Sequence, residues 1–212
     1  RLYDNELVLS DYTIISESDT VSVGLYPSAS IIFNIDKKSN LRGSVFRTTA
    51  RPSFKEKSNA QILDVLSGVT FNGNIDLIST NIYNYDLRYE TYYDDGQTIA
   101  ISGFLKDLYN PIEIVAYSAD EDNIQPINSG NARLMGVEFE ARKKFEEIIS
   151  GLSANVNASY IHSEVTIVGD EYESRQNNLR QGEKFSDKRE MQGQAPYLVN
   201  FGLSYKNKAN KI

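Results

Sequence analysis

The chain of 212 residues carries 22 Lys and Arg against 29 Asp and Glu, a net charge of -7, with a single His and no Cys. The acidic balance excludes the basic face that nucleic-acid binding needs, and the lack of Cys excludes a disulfide framework or a thiol nucleophile within these residues. No run of 18 or more apolar residues occurs, so no transmembrane helix is expected, although a barrel strand hides its apolarity in alternate positions.

Residues Arg1 to about Leu25 read mostly as loop, with Glu6 to Ile15 able to hold one strand. Seven strands follow, at roughly 28-36, 41-50, 80-93, 97-107, 132-144, 151-163 and 196-206. In the first, Ala29, Ile31, Phe33 and Ile35 oppose Ser30, Ile32, Asn34 and Asp36. The second is the weak point of the pattern, with Arg42 on one face and Arg47 on the other.

The third strand is the clearest. Tyr83, Tyr85, Leu87 and Tyr89 alternate with Asn84, Asp86, Arg88 and Glu90, a two-residue period with one oily and one charged face. Further on, Met135, Val137, Phe139 and Ala141 alternate with Gly136, Glu138, Glu140 and Arg142, and Leu152, Ala154, Val156, Ala158 and Tyr160 with Ser153, Asn155, Asn157 and Ser159. Tyr197, Val199, Phe201, Leu203 and Tyr205 alternate with Leu198, Asn200, Gly202, Ser204 and Lys206. The centres of these apolar faces carry no charge, as lipid contact requires.

The connections alternate in length. Those at 37-40, 94-96 and 145-150 are tight, and Asp95-Gly96 is a hairpin signal. Those at 51-79, 108-131 and 164-195 are long polar loops. Short turns at one end and long loops at the other are the layout of an antiparallel up-and-down transmembrane β-barrel. A soluble β-sandwich or small barrel that binds carbohydrate or a protein partner is the alternative, and it would bury the apolar faces against a second sheet.

The chain has fourteen Tyr, nine Phe and no Trp, and Tyr83, Tyr93, Tyr109, Tyr160, Tyr197 and Tyr205 fall near strand ends. Tyr suits the hydrocarbon-water interface, but it also favours any strand. Pro52 and Pro111 close strands, and Pro27 and Pro196 open them, so four of the five prolines mark one rim. The carboxylates of Ser118 to Asn123 lack the ligand spacing and turn Gly of a calcium loop and read as a solvated acidic loop. His162 alone cannot build a two-His metal site and reads as a rim or girdle residue. No phosphate loop or nucleophile motif is present, so no catalytic, cofactor or metal residue is assigned and no enzyme is expected.

Arg47-Thr48-Thr49-Ala50-Arg51-Pro52-Ser53-Phe54, Gly73-Asn74, Tyr83 to Glu90, Gly103-Phe104-Leu105-Lys106, and Asn110-Pro111-Ile112-Glu113 stand in an order and at spacings that resemble the late barrel of TonB-dependent outer-membrane receptors. Asn131-Ala132, Gly136 to Glu140, and Gln192-Gly193-Gln194-Ala195-Pro196-Tyr197-Leu198-Val199-Asn200 continue the resemblance, which covers roughly 26-206. With long Asn- and Asp-rich loops and no Cys, the chain is most similar to receptors of the Bacteroidetes type.

The resemblance implies a Gram-negative outer-membrane barrel of 22 strands with an N-terminal plug, lipid around it, and energy from TonB reaching it through the plug. The imported ligand would be a large scarce solute: an iron chelate, cobalamin, a glycan or a peptide. All 212 residues would then belong to one β-barrel domain as a partial barrel of seven or eight strands, without the signal peptide, plug or final strands. Asn84, Asp86, Arg88, Glu90, Glu138, Glu140, Arg142, Asn155, Asn157 and Asn200 would face the lumen, the acids paired with Arg88 and Arg142.

Overall fold

The computed structural model describes residues 24-117 and 120-206. The expected strand near Glu6 to Ile15 and the terminal residues from 207 onward lie outside the described residues. The main sheet is a meander of seven long strands and one short one. The long strands are β1 (Ser28–Asn34), β2 (Ser39–Ala50), β5 (Thr80–Tyr93), β6 (Gln97–Tyr109), β9 (Ala132–Lys144), β10 (Leu152–Thr166) and β12 (Tyr197–Tyr205). They pair antiparallel in that order, with the short β11 (Lys188–Arg189) against the far end of β10. β1 pairs only with β2, and β12 only with β10, so the sheet is open among the described residues.

Every pairing in the sheet keeps one register from end to end, so the two-residue alternation of each strand is passed to the next without a slip. The boundaries differ from expectation by a few residues, for local reasons. β1 stops at Asn34 because the amides of Ile35 and Asp36 both donate to the Ser39 carbonyl, closing the turn. The Asp36 carboxylate accepts the amides of Lys38 and Ser39, and the Lys38 amide above all holds its pKa below the usual carboxylate value, with Ser39 adding to the effect against slight burial. β10 continues to Thr166 because Ala132 to Leu134 pair with one side of it and β11 with the other.

The tight connections lie together. Lys38 of the first turn reaches Asp94 of the second at 3.2 Å, and Gly96 supplies the positive φ of 75° there. In the third, a Cβ on Gly151, whose φ is 84°, would collide with the Lys206 carbonyl. Pro27, Pro52, Pro111 and Pro196 flank strand ends at the opposite, long-loop rim.

The long loops are not structureless. β3 (Gln61–Leu63), β4 (Thr70–Asn72), β7 (Ile112–Tyr117) and β8 (Asp120–Asn128) form a second sheet in the order β3-β4-β8-β7, with a parallel β4-β8 pair. Asp120 to Asn123 therefore belong to a strand and not to an acidic loop. Asn128 joins the two loops, accepting the Ile78 amide at 2.9 Å and donating to the carbonyls of Ile78 and Asn110. The third loop carries α1 (Gly169–Asn177), whose Glu171 and Arg175 pair at 3.1 Å one turn apart. A helix this short is marginal alone, and Tyr172 is held edge-on against Phe185, ring centres 4.9 Å apart.

Among the described residues, no second layer covers the apolar face of the main sheet. Leu87 is 56% exposed and Phe201 71%, while on the polar face Asn84 is 4% and Glu90 3% exposed. That is the inverse of a sandwich, so the soluble alternative is not the architecture adopted. No helix among the described residues is long and apolar enough to cross a membrane.

Candidate functional site

Strand registers bring all ten polar candidates to one face. Asn84, Asp86, Arg88 and Glu90 stand beside Lys106, Phe104, Ser102 and Ala100 of β6. Ser102 and Ala100 pair in turn with Glu138 and Glu140, and Thr98 with Arg142. Glu140 and Arg142 meet Asn157 and Asn155 of β10, and Asn157 meets Asn200 of β12.

A charge network crosses this face. Glu90 accepts from Arg88 Nε at 2.9 Å and from Arg42 at 3.2 Å, and Arg88 also bonds Glu140 at 2.8 Å and Ser102 at 3.1 Å. A nearly buried carboxylate needs such partners, because leaving it unpaired costs several kcal/mol, roughly 3-5. Asp86 accepts from Ser44 at 3.3 Å, and Asn84 donates to Thr48 and the Phe46 carbonyl. The expected role of Arg142 is not realised, since neither it nor Glu138 forms an ion pair among the described residues. Arg88 reaches Glu140 over the small, buried Ala100, which stands between Glu90 and Glu140.

Two further members of this face are not marked out by the alternation of any single strand. Phe104 lies in a charged row, and its ring covers Gly136, where a Cβ would stand 2.6 Å from Phe104 Cζ. Lys106 places Nζ 5.6 Å from the centre of that ring. The signal was the Phe104-Gly136 register, which no single strand shows.

The apolar face ends in aromatic rows. Tyr83 packs edge-on against Tyr109, ring centres 5.7 Å apart, and Tyr160 meets Tyr197 at 5.1 Å, all towards the long-loop rim. Tyr93 and Tyr205 mark the opposite end on the same face. From Tyr83 to Tyr93 is ten residues, or roughly 34 Å along a strand and about 26 Å of height at barrel tilt. Arg47, the misfit of β2, lies opposite Tyr83 at that rim, its guanidinium 5.7 Å from the Tyr83 ring centre and 5.8 Å from that of Tyr26, with Asn81 accepting at 2.7 Å. His162 is on this face too, one row below Glu164, which it approaches at 3.6 Å.

Above the rim a buried clamp ties two loops. Arg189 of β11 bonds Glu171 of α1 at 2.7 Å and Glu113 of β7 at 2.7 Å, and the Gln192 amide donates to Glu113. The Glu171 bond raises the Arg189 pKa; burial opposes this, and Glu113 adds to it.

A family model described as TonB dependent receptor-like, beta-barrel, matches residues 6-211. Comparison with curated proteins finds no match. Among solved structures, the siderophore receptor PirA from Pseudomonas aeruginosa is similar at 21% identity and a TM-score of 0.52, over 66% of this chain and 26% of that one. The ferric enterobactin receptor PfeA of the same organism, solved as a point mutant with enterobactin, gives 16% identity and a TM-score of 0.49, over 66% of this chain and 25% of that one. The chain thus spans about a quarter of the length of these receptors, and the likeness to PirA is one of fold.

Proposed function

The chain belongs to the TonB dependent receptor-like β-barrel family, and on that premise we propose that it forms part of the wall of a Gram-negative outer-membrane receptor that imports a large, scarce solute. The observation that carries this reading is the inverted burial at the centre of the main sheet, where the apolar side chains of β5 and of Met135, Val137 and Phe139 are exposed while their polar neighbours Asn84, Asp86, Arg88, Glu90, Glu138 and Glu140 are buried or half-buried. In water such a sheet is unstable, whereas in a bilayer the apolar face meets hydrocarbon and the polar face lines a wet interior.

On this reading Asn84, Asp86, Arg88, Glu90, Glu138, Glu140, Arg142, Asn155, Asn157 and Asn200 face the lumen. The tight turns are periplasmic, and the loops at 51-79, 108-131 and 164-195 are extracellular and capture the ligand. TonB acts on the receptor through a plug domain. The ligand, an iron chelate, cobalamin, a glycan or a peptide, passes without chemical change, so no catalytic residue is assigned.

The test is uptake by cells that express the complete receptor. Deleting 51-79 or 164-195 abolishes high-affinity uptake while the protein still fractionates with the outer membrane. Unchanged uptake by both deletions, or recovery of the protein in the soluble fraction, overturns the reading.

A further inference from the structure

Arg189 of β11 stands opposite Val165 of β10, and cross-strand partners project to the same face of a sheet. Val165 continues the alternation of Asn155, Asn157 and Ser163, so the Arg189 side chain rises on the polar face. Its neighbour Lys188 pairs with Thr166 and bonds Glu164 on the apolar face.

Near the long-loop rim the polar face is sealed. Ser163 is 2% exposed and Val165 0%, and Ala132, opposite Val165 on β9, is buried as well. Lower on the same face Asn155 and Asn157 are exposed, and at rim level on the other face Arg133 and Glu164 stay about half exposed. The cover comes from both later loops. The Met191 amide donates to Ser163 Oγ at 3.1 Å, and the next amide, that of Gln192, donates to Glu113 of β7 at 3.1 Å. Glu113 also accepts from Arg189 at 2.7 Å, and the same guanidinium holds Glu171 of α1 at 2.7 Å. β7 and α1 are thereby drawn inward over the top of β10, joined to each other through one side chain. A buried ion group of this kind stabilises no more than apolar packing of the same volume, and its best-attested use is to fix one of two discrete arrangements.

We propose that β7 and α1 form a lid that rests closed over the lumen mouth above β9 and β10, with Arg189 as its latch. A solute reaches the wall below only after the bonds from Arg189 to Glu113 and Glu171 part. The lid rests on the reading of the polar face as the lumen.

The test uses the complete receptor on intact cells, with any Cys outside this Cys-free chain removed. One Cys is introduced at a time: Ile161→Cys, on the polar face just below the lid, or Leu66→Cys, at the tip of the β3-β4 hairpin and 98% exposed. The probe is a bulky, membrane-impermeant maleimide. Leu66→Cys is expected to react rapidly in every background. Ile161→Cys is expected to react slowly, and adding Arg189→Gln should speed it about tenfold or more, the factor by which loss of a charged hydrogen bond shifts an opening equilibrium. Glu171→Ala releases α1 while Glu113 keeps its cation, and it decides the matter if Arg189→Gln does not assemble. Equal rates for Ile161→Cys with and without these substitutions overturn the lid, as does an Ile161→Cys rate equal to that of Leu66→Cys. Either result in a receptor that fractionates with the outer membrane refutes the lid alone; a receptor absent from that membrane refutes the proposed function.

Discussion

Arg88 on β5 reaches across the whole of β6 to bond Glu140 on β9 at 2.8 Å. It can do so because the β6 residue between Glu90 and Glu140 is Ala100, which is too short to stand in the way. The bridge ties three strands without using the ladder, and it holds Glu90 in the same grip.

Removing the bridge should loosen the wall. Arg88→Met leaves Glu90 with Arg42 as its remaining cation, and a lost charged hydrogen bond of this kind costs about 1.5-3 kcal/mol. The complete receptor should convert from its compact to its unfolded electrophoretic form at a lower temperature, and Glu140→Gln should lower it less. Equal midpoints for Arg88→Met and wild type would show that the network contributes nothing.

The two faces should report opposite environments. The chain has no Cys, so spin labels can be placed singly once any Cys elsewhere in the receptor is removed. Labels at Tyr85, Leu87, Phe139, Val156 and Phe201 are expected to be relaxed by oxygen, which concentrates in hydrocarbon. Labels at Asp86, Glu138, Asn155 and Asn200 are expected to respond to a water-soluble nickel complex. Leu87→Arg places a charge near mid-bilayer on the lipid face and costs roughly 2-4 kcal/mol, whereas Asp86→Arg costs far less. Phe139 and Phe201 reporting water would sink the assignment.

Strand β5 is legible in the sequence because its alternation survives on both faces, and the same holds for β9, β10 and β12. Arg47 reads as a fault in β2 until register places it opposite Tyr83, at a level where an amphipathic cation is at home. What the sequence conceals is pairing between distant segments. β4 and β8 contribute only the pairs Thr70-Asn123 and Phe71-Ile124, about fifty residues apart, too short for any periodicity to announce. The ten polar candidates follow from alternation alone. The choice of Arg88 over Arg142 as the partner of Glu140 depends on cross-strand offset and on the size of Ala100, which no single strand encodes.

The loop clamp should fail in acid. Burial pushes the Glu171 pKa up, but the Arg189 and Arg175 guanidiniums outweigh it and hold the carboxylate below its ordinary value. A carboxylate whose folded pKa is depressed contributes stability that is fully present above the unfolded value, about 4.3, and lost as pH falls through the folded value. Proteolysis or hydrogen exchange within 167-196 should therefore be flat from neutral pH to about 5 and rise below about 4. Arg189→Gln should open the same segment at neutral pH, because it leaves Glu113 buried without its cation, while the barrel stays intact. A segment no more accessible in the variant than in wild type would remove the clamp from the account.

Side and edges make the last prediction. Protease added to intact cells is expected to cut within 164-195 and not at 94-96, since the Lys38-Asp94 pair places that turn with 35-38 at the end opposite the loops. The isolated 212-residue chain should not conduct. β1 and β12 each pair on one side only among the described residues, and in a bilayer each unpaired backbone group costs several kcal/mol. Two such edges outweigh what the apolar face gains from lipid, so the chain should associate edge to edge or require the remainder of a larger barrel. Refolding the chain into planar bilayers and recording single channels is the measurement. Discrete, monomeric conductance would mean that the sheet closes on itself as a small barrel, and the larger receptor would have to be abandoned.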